Sequence, residues 1–113
     1  ERPATLSPFI LQDVIRRQIG FEGFLMTDDL DMKALKGEIG DRAAECVAAG
    51  CDVALNCWGR MDEMIAIANQ VGAMSPEGGV RLAAAMATID TKPDVAELAD
   101  LLAKRDALLQ LAA

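Results

Sequence analysis

The stretch "GFLMTDDLDM", Gly23 to Met32, places Asp28, Asp29 and Asp31 within four positions, directly after an almost wholly apolar run. Carboxylates so placed can serve as nucleophile, general acid or base, or ligand for a hard cation. Like charges this close raise one another's pKa unless they are separated or paired. The ordinary alternative is capping, because Asp is a good N-cap and acids are favoured in a first helical turn. On that reading Asp29 and Asp31 cap the next helix. A third acid exceeds what a cap needs. From spacing alone, Asp28 stays open between a chemical group and local charge.

The elements around this cluster must position it. "LSPFILQDVIRRQIG" is predicted as a helix with Ser7 as N-cap and Pro8 at its first position. Leu11, Val14, Ile15 and Ile19 form its apolar stripe, and Gly20 suits the position past its end. "FLMT", Phe24 to Thr27, is apolar at successive positions and predicts a short strand covered on both faces. "RAAECVAAG" predicts a helix ending at Gly50, and "CDVALNC", Cys51 to Cys57, a second buried strand. "WGR" is a loop, and "MDEMIAIANQVGA" a helix turning Met61, Met64, Ile65, Ile67 and Ala68 inward. Strand, helix, strand at this spacing makes a βαβ unit with parallel strands and a right-handed crossover. "MSPEGGVRLAAAMATID" predicts a further helix capped by Ser75, its first turn weakened by Gly78 and Gly79. "TKPD" breaks the chain, and "VAELADLLAKRDALLQL" predicts an amphipathic helix with Leu98, Leu101, Leu102, Leu108 and Leu109 near one face. Met61, Met64, Met74 and Met86 fall at helical spacings and read as core or interface filler.

Two parallel strands do not make an independent sheet. The chain of 113 residues is also 52% hydrophobic, high for a domain that leaves much of its surface exposed. Both observations imply a piece of a larger α/β protein or an assembling subunit. Eleven basic and 18 acidic residues leave a net charge of −7. That argues against nucleic acid or an anionic membrane surface as partner, since both need a basic face. No apolar stretch reaches the roughly 18 residues of a membrane span. The opening "ERPATLSP" has no basic start followed by an apolar core, so no signal peptide is expected in it. Cys46, Cys51 and Cys57 are odd in number and irregular in spacing, with no His and no CxxC pair in the chain. They predict neither a disulfide framework nor a zinc site, but reduced, mostly buried thiols of a cytoplasmic protein.

Active sites of open α/β sheets and (β/α) barrels lie at the carboxyl ends of the strands. Asp28 and Asp29 occupy one such end, and Asn56, Cys57 and Trp58 the other. Parallel strands put both on one rim.

"PATLSP" with its helix, "IGFEGFLMTDDLDMKAL" and "RAAECVAAGCDVALNC" resemble the C-terminal part of the catalytic barrel of glycoside hydrolase family 3, in its bacterial β-N-acetylglucosaminidase (β-hexosaminidase) branch of cell-wall recycling. The resemblance covers about Arg2 to Gly59 well and the later helices more loosely. It implies a partial (β/α)8 TIM barrel over residues 1–113, with "FLMT" as seventh strand and "CDVALNC" as eighth. It also implies that Asp28 is the nucleophile of a retaining hydrolysis of terminal β-linked N-acetylglucosamine, with no cofactor and no metal. In that branch the acid/base resembles a His–Asp dyad on an upstream loop, and this chain has no His. The isolated chain is therefore expected to be inactive, and its expected partners are the missing N-terminal part of the barrel or further copies of itself. Trp58 is a candidate substrate-binding residue, since aromatic rings stack on sugars, although a loop Trp also packs against neighbouring helices. Two further readings compete with the enzyme fragment. One is a non-catalytic oligomerising module built from barrel-derived βα units. The other is a phospho-acceptor domain with Mg²⁺ at its acid pair, which needs another acid and a Lys on further strands.

Overall fold

In the computed structural model, residues 2–89 and 95–111 are described. A 3₁₀ turn, Ala4–Leu6, leads into a helix over Phe9–Gln18. Ser7 performs its predicted service, its Oγ accepting from the Ile10 N–H at 3.4 Å. The helix is wider than predicted. Its bonds span five residues, as in the 2.9 Å bond from the Ile19 N–H to the Val14 carbonyl. Widening breaks up a stripe spaced for 3.6 residues per turn: Leu11 is buried, Val14 and Ile15 are half-buried, and Ile19 is exposed.

Strand β1 runs over Met26–Asp29 and β2 over Val53–Leu55. They pair in parallel as a two-stranded sheet. β1 therefore starts two residues later than the apolar run, and β2 is shorter than its own. Met26 faces Val53 and Asp29 faces Leu55, so β1 carries one more residue than β2 across the same span. The buried Thr27 absorbs that irregularity by accepting the Leu55 N–H on its side-chain oxygen at 2.9 Å. The Leu30 N–H then bonds the Leu55 carbonyl at 2.9 Å. Burial alternates along β1, with Met26 and Asp28 exposed, Thr27 buried and Asp29 half-buried. The expectation of cover on both faces is corrected: among the described residues one face of β1 is open. The apolar run reflects cover that these residues do not supply.

Helix α1, Ile39–Ala49, crosses between the strands. It ends at Gly50, whose φ of +127° is a backbone conformation side chains disfavour. Helix α2, Met61–Gln70, lies against α1 at Gly40, where a Cβ would stand 2.8 Å from the Ala66 carbonyl oxygen. Leu6, Leu30, Leu35, Ala43 and Cys46 form the larger core, flanked by Ile39, Val47, Ala54, Ile67 and Val71. Leu11, Ala49 and Cys51 form a smaller one with Ile15 and Leu25. Of the five α2 residues predicted to face inward, only Ile67 reaches this core; Met61, Met64, Ile65 and Ala68 are exposed.

Helix α3, Pro76–Ala87, forms despite its glycine pair. Ser75 Oγ accepts the Gly78 N–H at 3.0 Å, and Gly78 is buried where a Cβ would meet Met74 and Ser75. The break at "TKPD" lies outside the described residues. Helix α4, Val95–Leu111, leaves Leu98, Leu101, Leu102, Leu108 and Leu109 exposed. Met61, Met64, Met74 and Met86 are exposed as well, so none is core filler. No helix among the described residues is long and apolar enough to cross a membrane. The chain is thus a mixed α/β fragment, with a two-stranded parallel sheet compatible with part of a larger barrel.

One charged residue ties the elements together at the entry end of the strands. The Asp52 carboxylate, 4% exposed, accepts from Arg16 of the N-terminal helix, from Arg81 of α3 and from the Leu25 N–H, each at 2.8 Å. Arg16 also donates to the Phe21 and Gly23 carbonyls, at 2.9 and 2.7 Å. Burial alone would raise the Asp52 pKa. The Leu25 N–H and the two guanidinium groups outweigh it and hold the carboxyl below its ordinary value.

Candidate active site

Asp28 is the third residue of β1 and points away from the buried side of the strand. The side chain accepts the Asp29 N–H on Oδ1 at 2.8 Å. Among the described residues no other group donates to it, so one carboxylate oxygen is open to a ligand. No helix begins here. Residues 30–38 form turns, and α1 starts only at Ile39, with no side-chain cap from Glu38. The capping reading of Asp29 and Asp31 is therefore corrected. Leu30 and Leu35 enter the core on either side of this segment, and burying both bends the chain into turns rather than a helix. Arg42 holds those turns by donating to the Leu30 and Gly37 carbonyls at 2.8 and 2.9 Å.

Asp29 acts instead as a clamp. Its Oδ1 accepts the Asp31 N–H at 3.2 Å, closing a local turn. The same oxygen accepts the Cys57 N–H at 3.2 Å, which joins the end of β1 to the end of β2. Asp31 pairs with Arg60 at 3.2 Å, and Arg60 also pairs with Glu63 at the start of α2. Glu63 accepts from the Asn56 amide at 3.1 Å, and the Asn56 side-chain oxygen accepts the Trp58 N–H at 3.2 Å. Hydrogen bonds from Arg60 and Asn56 hold the Glu63 carboxyl below its ordinary value. The loops after both strands are thus stitched into one rim.

The rim brings Asp28, Asp29 and Cys57 together. Desolvation, then the Asp29 and Asp28 carboxylates, push the Cys57 thiol above its ordinary value. Trp58 lies on the same loop with 68% of its surface exposed, so among the described residues no helix covers it. Among the described residues no three His, Cys, Asp or Glu side chains are arranged to hold a metal ion. What the rim offers chemically is an exposed carboxylate on a strand end, with an immobilised carboxylate beside it and an aromatic ring on the next loop.

Sequence reasoning missed Thr27, Arg60, Glu63 and Asp52. A hydroxyl before an acid pair and an Asp opening a strand were the available signals. Neither names its partners, which lie up to 36 positions away in the chain.

Residues 1–91 match the family described as Glycosyl hydrolase family 3 N terminal domain. The chain is similar to the beta-hexosaminidase of Actinobacillus succinogenes, 41% identical over 59 residues, covering 50% of this chain and 17% of that protein. It is 46% identical over 57 residues to the beta-hexosaminidase of Aromatoleum aromaticum, covering 49% and 16% respectively. A longer match runs over 83 residues to the beta-hexosaminidase of Idiomarina loihiensis, 32% identical, covering 72% of this chain and 25% of that protein. The chain therefore spans between about a sixth and a quarter of the length of these curated relatives. With its family match running over residues 1–91, the chain belongs to glycosyl hydrolase family 3, in its N terminal domain.

Proposed function

We propose that this chain is the nucleophile-bearing end of a (β/α)8 catalytic barrel in a retaining β-N-acetylhexosaminidase. Its substrate is a terminal β-linked N-acetylglucosamine, of the kind released in cell-wall recycling in the cytoplasm. The observation that carries the reading is the position of Asp28, exposed at the carboxyl end of a parallel strand, next to the Asp29 that binds the loop after the neighbouring strand. The relatives' name, beta-hexosaminidase, supports the substrate class.

In this reading the open Asp28 oxygen attacks the anomeric carbon. The aglycone departs, a glycosyl-enzyme forms, and water then releases the sugar with retained configuration. Asp29 keeps the rim rigid through the Cys57 N–H, so that Asp28 meets the sugar in one geometry. Trp58 provides a face on which the sugar or its aglycone stacks. The acid that protonates the leaving group comes from outside this chain, as do most residues that grip the substrate. Acid assistance is worth about 10²–10⁴-fold and positioning adds to it, so the chain alone does not turn over.

The test pairs the chain with the upstream part of a family barrel, co-expressed in trans. Hydrolysis of 4-nitrophenyl N-acetyl-β-D-glucosaminide is expected from the pair and not from the chain. A fluorinated mechanism-based glycoside should leave its sugar on Asp28. Turnover by the chain alone, or labelling of another residue, overturns the reading.

A second reading is a non-catalytic module that assembles through its apolar surface. The exposed leucines of α4 favour it. Size-exclusion chromatography at two concentrations separates the two: the module grows in size with concentration, and Leu102→Glu abolishes the growth.

A further inference from the structure

The two buried thiols make a site that glycoside chemistry leaves unused. Cys46 stands in the last turn of α1 and Cys51 directly follows Gly50. The Cys51 N–H donates to the Cys46 carbonyl at 3.1 Å, and the Gly50 N–H to the Val47 carbonyl at 3.0 Å. This is the Schellman closure of a helix, whose backbone bond sets Cys51 beside Cys46, the two positions whose side chains commonly meet in this motif. Gly50, at φ +127°, makes the closure possible. In the resting state the Cys46 S–H donates to the Ala43 carbonyl at 3.1 Å. When Cys51 ionises, its neighbour serves it: a hydrogen bond from Cys46 holds the Cys51 thiol below its ordinary value and pushes Cys46 up.

Access divides the pair in the same sense. A groove of about 950 Å³ runs between α1, β2, α2 and α3, and Cys51 lines it with Asp52, Val53, Met64, Ile67 and Arg81. Cys46 is wholly enclosed and does not reach the groove. Cys57 has no thiol beside it on its turn. It is exposed, but desolvation and the two rim carboxylates weaken it as a nucleophile.

The geometry points to an oxidative modification site: hydrogen peroxide entering the groove oxidises Cys51, and Cys46 resolves it to an intramolecular disulfide across the end of α1. In the first step the Cys51 sulfur attacks one peroxide oxygen. The S–O bond forms, the O–O bond breaks, and hydroxide leaves and takes up the Cys51 proton as water. In the second step the Cys46 sulfur attacks the sulfenic sulfur. The S–S bond forms, the S–O bond breaks, and the hydroxyl leaves as water with the Cys46 proton. The two thiols lose two electrons, and peroxide, gaining them, is reduced to water.

The test uses the intact chain. It is treated with hydrogen peroxide, unfolded, alkylated with iodoacetamide and cleaved before Asp41, Asp52 and Asp62. This puts Cys46 and Cys51 on one peptide and Cys57 on another. The peptide over 41–51 is expected to be lighter by two hydrogens and free of alkyl groups, reverting with dithiothreitol. The Cys57 peptide is expected to be alkylated. The disulfide should form faster in the folded chain than in urea, because the turn holds the thiols together. Cys46→Ser, checked for folding by circular dichroism, should stop at a sulfenic acid on Cys51 that dimedone traps. Alkylation of both cysteines in the intact chain, irreversible oxidation of Cys51 without a disulfide, a bond to Cys57, or equal rates in folded and unfolded chain would each overturn the proposal.

Discussion

The Asp29 carboxylate accepts the Cys57 backbone N–H at 3.2 Å, so the ends of the two strands are held by a side chain rather than by the sheet ladder. The ladder ends at Leu30 and Leu55, and without this bond the loop carrying Trp58 is held, among the described residues, by the Asp31–Arg60–Glu63 pairs and the Asn56 side chain. Asp29→Ala removes the acceptor for two N–H groups and is expected to cost about 1 kcal/mol of stability. Asp29→Asn keeps an acceptor oxygen and should lose less. Urea unfolding of the three proteins, followed by Trp58 fluorescence, gives the comparison.

Asp28 should behave in the opposite way. Its side chain is exposed and accepts one bond from its neighbour, so Asp28→Asn is expected to change stability by less than about 0.5 kcal/mol. In the reconstituted enzyme the same substitution should remove turnover, because an amide is a poor nucleophile. A strongly destabilised Asp28→Asn would identify a structural residue instead, and thermal unfolding beside the activity assay tells the two apart.

Asp52 gathers two ion pairs on one buried carboxylate. Asp52→Ala leaves the Arg16 and Arg81 guanidinium groups and the Leu25 N–H without their shared acceptor. Breaking a buried pair in this way is expected to cost about 3 kcal/mol or more, read from the urea midpoint.

The same residue sets an acid limit. Its folded pKa lies below the unfolded value, so its contribution is fully present above about pH 4–5 and is lost as pH falls through the folded pKa. Urea midpoints measured from pH 6 down to pH 3 should therefore decline, and Asp52→Asn should flatten that decline. The slope left behind belongs to groups such as Glu63, whose pKa is also held down.

Gly40 is a packing position, not a flexible one. A Cβ there meets the Ala66 carbonyl oxygen at 2.8 Å and the Gln70 side chain at 3.0 Å. Gly40→Ala must push α2 off α1 and is expected to destabilise by about 1–3 kcal/mol, although alanine is the better helix former. A more stable protein in thermal unfolding would contradict the close approach of the two helices.

Local chemistry was legible in the residues themselves. Ser7 and Ser75 announced helix starts through their hydroxyls, Gly50 announced an end, and the apolar runs around Met26 and Val53 announced two parallel strands, because these signals act within a few positions. The acid cluster at Asp28 was legible as a candidate, and its exposure at a strand end is what the fold adds. What the neighbours of those carboxylates do was decided only in three dimensions. Asp29 seeks an N–H 28 positions away, Asp52 seeks guanidinium groups 36 and 29 positions away, and the route between Asp31 and Ile39 follows the burial of Leu30 and Leu35 instead of helix propensity. Helix faces failed for the same reason. Periodicity says that Met61, Ile65 and the α4 leucines want an apolar partner, but only the packing of the whole chain decides whether one is within reach, and within these residues it is not.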